Sequence, residues 1–275
     1  MKKKEHTFAY EWARPYQSQL PTIVCLHGFT GTRHTFQSIA DQLSTVNWLL
    51  IDCLGHGESP IAIKSEAYQF ENVVTELAHF VQQLGLQTYH LLGYSMGARL
   101  ALGWATVYPE RIQTLSLESG SPGLATQIER QKRREKDARL AQKIEQEGVR
   151  SFVTDWEKLP LFASQSKLPT QVQLTVRHER LSQQATGLAN SLRGMGTGSQ
   201  PNYWPQLAQF TRPVAILVGA LDTKFVAIGQ QMHQLFPNST LTVFSGVGHC
   251  IHLETPQLFG AFFEQWLGQA KEKVE

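Results

Sequence analysis

Gly93-Tyr94-Ser95-Met96-Gly97 follows the apolar run Tyr89-His90-Leu91-Leu92 and precedes Ala98-Arg99-Leu100-Ala101-Leu102-Gly103-Trp104-Ala105, a helix-forming stretch. The order strand, G-x-S-x-G, helix predicts a nucleophile elbow, a sharp turn that lifts a serine hydroxyl off the end of a strand. Glycine at both flanks removes Cβ atoms that would collide as the chain reverses. The following helix N-terminus adds partial positive charge near a developing anion. A strand-to-helix turn with an incidental serine fits the same five residues, so the surrounding chain has to decide.

The chain has 275 residues, 41% of them hydrophobic, enough to bury the core of one large α/β domain. Its 25 basic and 23 acidic residues leave a net charge of +2, too small for a global field that would recruit nucleic acid or an anionic membrane. The start Met1-Lys2-Lys3-Lys4-Glu5-His6 is basic, but Phe8-Ala9-Tyr10-Glu11-Trp12-Ala13-Arg14 breaks any signal-peptide core. The expectation is a cytoplasmic protein without membrane insertion, a monomer or weak oligomer. Cys25, Cys53 and Cys250 form an odd set without metal-ligand spacing and read as reduced thiols of the core.

Outward from the elbow, Ile23-Val24-Cys25-Leu26, Trp48-Leu49-Leu50-Ile51 and Ile112-Gln113-Thr114-Leu115-Ser116-Leu117 are further strand candidates. Residues 36–43 and 73–84 carry helical apolar spacing, notably Val73, Leu77, Phe80, Val81 and Leu84. Late in the chain, Val214-Ala215-Ile216-Leu217-Val218 and Leu241-Thr242-Val243-Phe244 read as strands. Residues 228–236 join them as a helix, and residues 258–267 form a terminal helix with Leu258, Phe259, Phe262, Phe263, Trp266 and Leu267 on one face. This alternation predicts a mostly parallel sheet flanked by helices. Residues 121–205 are rich in Arg, Lys, Gln and Glu with little strand character. They read as a helical lid inserted into a core of residues 1–120 and 206–275, leaving the sheet at the carboxyl edge where the elbow sits.

A serine hydroxyl needs an imidazole to take its proton, and the imidazole needs an acceptor to fix its tautomer. The expected chain order is Ser, acid, His. His249, in Gly246-Val247-Gly248-His249, follows the last strand and is the candidate base; His252 and His233 are poorer ones. Asp222 follows the preceding strand, where it also suits a helix cap. Asp52 and His56 precede the serine and read as loop-organising residues. The turn His27-Gly28-Phe29-Thr30-Gly31 can direct the Phe29 N–H toward the reaction centre, with the N–H of Met96 as its partner in an oxyanion hole. Tyr94, next to the serine, belongs beside the cavity. Arg99, one helical turn beyond Ser95, shares its face and either points to the pocket or pairs on the helix surface.

In this order the motifs resemble the α/β-hydrolase superfamily over nearly the whole chain. The resemblance extends to its 2-succinyl-6-hydroxy-2,4-cyclohexadiene-1-carboxylate synthase family. The stretches that carry it are Leu92 to Leu102 around the elbow, Glu118-Ser119-Gly120-Ser121-Pro122-Gly123-Leu124, Trp156-Glu157-Lys158-Leu159-Pro160-Leu161-Phe162-Ala163-Ser164, and Ser191-Leu192-Arg193-Gly194-Met195-Gly196-Thr197-Gly198-Ser199-Gln200-Pro201. Ala98 stands where that family often has glycine. The resemblance implies elimination of pyruvate from a small polycarboxylate in menaquinone or phylloquinone biosynthesis, without cofactor or metal, with Ser95 as general base. It implies that Arg99, Arg133 and Arg180 bind carboxylates, with Arg134 and Arg177 as neighbouring alternatives for the last two, and that Trp156 and Phe162 wall the ring. An ester, thioester or carbon–carbon hydrolase shares the core motifs; a noncatalytic receptor would be expected to have lost part of the triad.

Overall fold

Strand runs that are apolar at every position are stable only where both faces of a sheet are covered, and the alternate residues of these strands go to opposite sides. The computed structural model describes residues 8–62 and 64–272; the basic start and the last three residues lie outside them. Seven strands, β1 (Tyr10–Trp12), β2 (Thr22–Leu26), β3 (Asn47–Ile51), β4 (Tyr89–Tyr94), β5 (Ile112–Glu118), β6 (Val214–Gly219) and β7 (Ser239–Phe244), form one sheet in the order β1-β3-β2-β4-β5-β6-β7. All pairs are parallel except β1 with β3. Val24, Leu26, Leu49 and Ile51 enter one hydrophobic cluster, while Ile23, Cys25, Trp48 and Leu50 enter the other.

Helices α1 (Gln37–Ala40) and α9 (Pro256–Glu272) cover the second cluster through Ile39, Phe259 and Phe263. Helices α2 (Phe70–Gln83), α3 (Met96–Val107) and α7 (Thr223–Leu235) cover the first through residues such as Leu77, Leu100 and Met232. Between β5 and β6 the chain forms α4 (Gln127–Trp156), α5 (Thr170–Leu181) and α6 (Ala185–Met195). Ala141, Ile144, Phe152, Val153, Leu188, Ala189 and Leu192 give these helices a hydrophobic cluster of their own, against which Phe29 of the sheet domain packs. Helix α8 (Ile251–Glu254) follows the last strand.

Each strand expected from the sequence is a strand, and the short edge strand β1 is an addition. Two helix readings change. In place of one helix over residues 36–43 there is a 3-10 turn, Arg33–Phe36, followed by the single turn of α1. Helix α7 starts at Thr223 because the Asp222 side chain accepts the Phe225 N–H, at 3.4 Å, and caps it. Helix α4 extends to Trp156 but is broken at Gly148, whose φ of +80° interrupts the helical path. No helix among the described residues is long and apolar enough to cross a membrane.

Candidate active site

Ser95 sits between β4 and α3 at φ +50° and ψ −103°, a backbone state rarely adopted outside glycine and held only where the surroundings enforce it. Its N–H donates to the Glu118 carbonyl at 2.8 Å, tying the turn to the neighbouring strand. The flanking glycines are steric requirements. A Cβ on Gly93 would run into the Gly97 carbonyl, and one on Gly97 into the carbonyl of Leu26. The same device joins the two later loops, since a Cβ on Gly219 would strike the Gly248 carbonyl.

The structure brings Ser95, Asp222 and His249 together. His249 Nε2 lies 2.9 Å from Ser95 Oγ, and His249 Nδ1 lies 2.6 Å from Asp222 Oδ2. His249 and Asp222 are largely shielded, with the imidazole 2% and the Asp222 side chain 9% exposed, so little water competes for the bond between them. The carboxylate accepts from Nδ1–H, which leaves the Nε2 lone pair facing the serine hydroxyl. Asp222 thus has both of the roles its position suggests, as helix cap and as partner of the imidazole.

A cavity of about 250 Å³ opens over Ser95 and His249. Phe29, Tyr94, Met96, Arg99, Arg133, Trp156 and Phe162 all line it. Met96 is the first residue of α3, where a helix N–H has no intrahelical acceptor. The aromatic wall is continuous: Phe29 meets Trp156 at 5.5 Å between ring centroids, Trp156 meets Phe162 at 5.6 Å, and Phe162 meets His249 at 6.5 Å. Burial pushes the Tyr94 phenol well above its ordinary pKa, so Tyr94 presents a neutral hydroxyl group.

Arg99 donates to the Met195 carbonyl at 2.7 Å, which aims it at α6 and the cavity and away from any helix-surface ion pair. Burial and the nearby Arg133 charge, partly offset by Asp137, pull its guanidinium down to about 10, so it stays cationic at neutral pH. Arg133 is held by Asp137 at 2.8 Å. Of the four basic residues left open on the helical insertion, only Arg133 lines this cavity. Arg134 bonds the Gly198 carbonyl, and Arg177 pairs with Glu157. Arg180, expected among the cavity arginines, lines an adjoining cleft. Its guanidinium lies 4.8 Å from the Phe162 ring centroid and bonds Gln165 at 2.9 Å. The reason is register: α5 packs so that Arg180 reaches the Glu157 and Gln165 side chains.

The rejected histidines have other work. His233 bonds Ser239. His252 is buried against Glu118, whose Oε2 lies 2.7 Å from its Nδ1 and whose Oε1 accepts the N–H groups of Ile251 and His252. Burial lowers a histidine, but here Cys250 and Glu118 outweigh it and hold His252 well above its ordinary value. Glu118, Cys250 and His252 bring ligand-type atoms within 4.8 Å of one another, and their hydrogen bonds fix the His249 loop to the end of β5. Asp52 organises its loop by accepting from the Arg33 and Glu58 N–H groups. Cys25, Cys53 and Cys250 are free and buried.

Sequence reasoning overlooked Glu118, and also Lys224 and Phe225, which line the cavity. The Phe225 ring contacts His249 at 4.8 Å between centroids. Adjacency to Asp222, in Thr223-Lys224-Phe225, is the signal that points to the last two.

The chain is similar to known proteins along most of its length. The alpha/beta hydrolase fold family matches residues 21–256. A Bacillus subtilis protein that carries the name 2-succinyl-6-hydroxy-2,4-cyclohexadiene-1-carboxylate synthase provisionally is 42% identical over 245 residues, covering 89% of each chain. The Yersinia pseudotuberculosis synthase of that name is 31% identical, over 93% of this chain and 90% of its own. The solved structure of MenH from S. aureus superposes with a TM-score of 0.90 at 35% identity, covering 95% of this chain and 98% of that one.

Proposed function

The chain belongs to the α/β-hydrolase-fold family and, within it, to the 2-succinyl-6-hydroxy-2,4-cyclohexadiene-1-carboxylate synthases, and from that premise we propose how it eliminates pyruvate from 2-succinyl-5-enolpyruvyl-6-hydroxy-3-cyclohexene-1-carboxylate. The observation that carries the assignment is the presence of Arg99 and Arg133 in the cavity over Ser95 and His249. Two guanidiniums within a partly apolar pocket suit a polycarboxylate and offer little to a simple ester.

On this reading Ser95 Oγ removes the proton on ring carbon 2, beside the succinyl carbonyl, while its own proton passes to His249 Nε2. The electron pair forms the double bond between carbons 2 and 3, the existing double bond moves to carbons 4 and 5, and the carbon 5–oxygen bond breaks. Enolpyruvate leaves, takes the proton from His249 and becomes pyruvate; water is not consumed. Charge that develops on the succinyl carbonyl oxygen is received by the N–H groups of Phe29 and Met96. Asp222 holds the imidazole tautomer and stabilises its cation. Trp156 and Phe162 exclude water from the ring, and residues 121–205 act as the lid. Tyr94, neutral and beside Ser95, packs against His249 at 5.5 Å between ring centroids. Every step uses this chain's own groups, with no cofactor. The reading places the enzyme in the cytoplasm, as a monomer or weak oligomer, in keeping with its three free cysteines.

The test is release of pyruvate from the named substrate, coupled to a dehydrogenase, alongside turnover of p-nitrophenyl esters. Pyruvate release that disappears in Ser95→Ala supports the lyase. Rapid ester turnover with no pyruvate supports the hydrolase reading in its place.

A further inference from the structure

Three carboxylates enter the reaction proposed above: on ring carbon 1, at the end of the succinyl chain on carbon 2, and on the enolpyruvyl ether at carbon 5. Among the described residues, three side-chain cations line the cavity over Ser95, namely Arg99, Arg133 and Lys224, while Arg180 lines the adjoining cleft. Lys224 occupies the second position of α7, where its charge opposes the positive end of the helix dipole. Local structure gives it the neighbouring Phe225 ring and no acid. Its nearest acid in sequence, Asp222, is taken by His249 and the Phe225 N–H, and Lys224 forms no ion pair among the described residues. A residue that breaks a local rule for no more local gain than an exposed ring contact points to a role in function.

Its position gives that role a direction. Lys224 Nζ stands 5.4 Å from the centroid of the Phe225 ring, the ring that abuts His249. Arg133, by contrast, stands close enough to Arg99 for its charge to lower the Arg99 pKa. The two neighbouring guanidiniums suit the carboxylate on ring carbon 1 and the carboxylate that ends the succinyl chain on the adjacent carbon 2. The enolpyruvyl group leaves from carbon 5, across the ring, and needs a cation elsewhere. We infer that Lys224 binds the enolpyruvyl carboxylate and holds it through carbon–oxygen cleavage, an assignment that rests on the pyruvate-eliminating reading of the site.

As the bond between carbon 5 and oxygen breaks, its electron pair moves onto the enolate oxygen next to that carboxylate. An ammonium with three donors can bridge both oxygens, so its attraction is greater in the transition state than in the bound substrate. Lys224 is an exposed residue, which leaves pyruvate a path out once it is free.

The experiment compares wild type, Lys224→Met and Lys224→Arg in pyruvate release. It also measures inhibition by 2-succinylbenzoate, which carries the ring carboxylate and the adjacent succinyl chain with its terminal carboxylate but no pyruvyl group. Thermal unfolding checks that both variants fold. Lys224→Met should lose about thirtyfold in kcat/KM, chiefly in kcat, while Lys224→Arg, which keeps the charge at an open position, stays within about fivefold of wild type. Inhibition by 2-succinylbenzoate should remain within about twofold in Lys224→Met, because its carboxylates face Arg99 and Arg133. Turnover by Lys224→Met within about twofold of wild type overturns the assignment and leaves the lyase standing, as does a loss of 2-succinylbenzoate affinity equal to the loss of turnover. A wild-type enzyme that releases no pyruvate overturns the underlying reading itself.

Discussion

Replacing Asp222 with asparagine changes one proton and very little shape. In the wild-type site Asp222 Oδ2 accepts from His249 Nδ1 at 2.6 Å, which leaves Nε2 unprotonated and 2.9 Å from Ser95 Oγ. An asparagine can keep its oxygen on the Phe225 N–H, the cap now 3.4 Å long, and so presents its amide N–H to Nδ1. The imidazole must then carry its proton on Nε2, facing the serine, where it can donate but cannot accept. The loss for an equivalent tautomer inversion in a Ser-His-Asp site is about 10⁴-fold in kcat, or about 5.5 kcal/mol of transition-state stabilisation. KM should change little, because Arg99 and Arg133 are untouched. The assay is pyruvate release at saturating substrate, read through lactate dehydrogenase, with thermal unfolding as the control. A kcat within tenfold of wild type in a folded Asp222→Asn enzyme refutes the argument that the tautomer governs the reaction.

Gly97→Ala should cost about 3 kcal/mol or more, because its Cβ meets backbone at Leu26 and no flexible side chain can give way; chemical denaturation measures it. Arg99→Ala should lower kcat/KM by about thirty- to a thousandfold, and Arg99→Lys should recover little, since a point charge does not replace a planar fork. For the wild type, kcat/KM should fall as pH rises through about 10, where Arg99 loses its charge. The His252 pKa is raised in the folded state, so the stability it contributes is complete below its unfolded value, near 6.5, and is lost as pH rises through the folded value above that. Denaturation midpoints measured from pH 6 upward should show this decline in wild type and a flatter profile in Glu118→Gln.

The elbow, the six long strands and the order of the triad were legible because each rests on local chemistry. Gly93 and Gly97 are needed where backbones touch, and Ile23 to Leu26 must be covered on both faces. Edge strand β1 was not legible: its three residues are only partly buried, and it exists through pairing with β3 nearly forty positions later. The break at Gly148 is invisible to charge periodicity, which runs through it. Arg180 and Arg133 look alike in sequence, and only the packing of α5 against Glu157 and Gln165 separates them. Glu118 reads as an ordinary strand end. Its side chain reaches a loop more than 130 residues away, a pairing that no local pattern encodes.

In the proposed mechanism Ser95 takes a proton and never carries an acyl group. Mass spectrometry of enzyme quenched during turnover, paired with initial rates on substrate deuterated at ring carbon 2, tests it most directly. The expected result is unmodified Ser95, slower turnover of the deuterated substrate, and one conjugated diene formed per pyruvate. A substrate-derived adduct on Ser95 would contradict it.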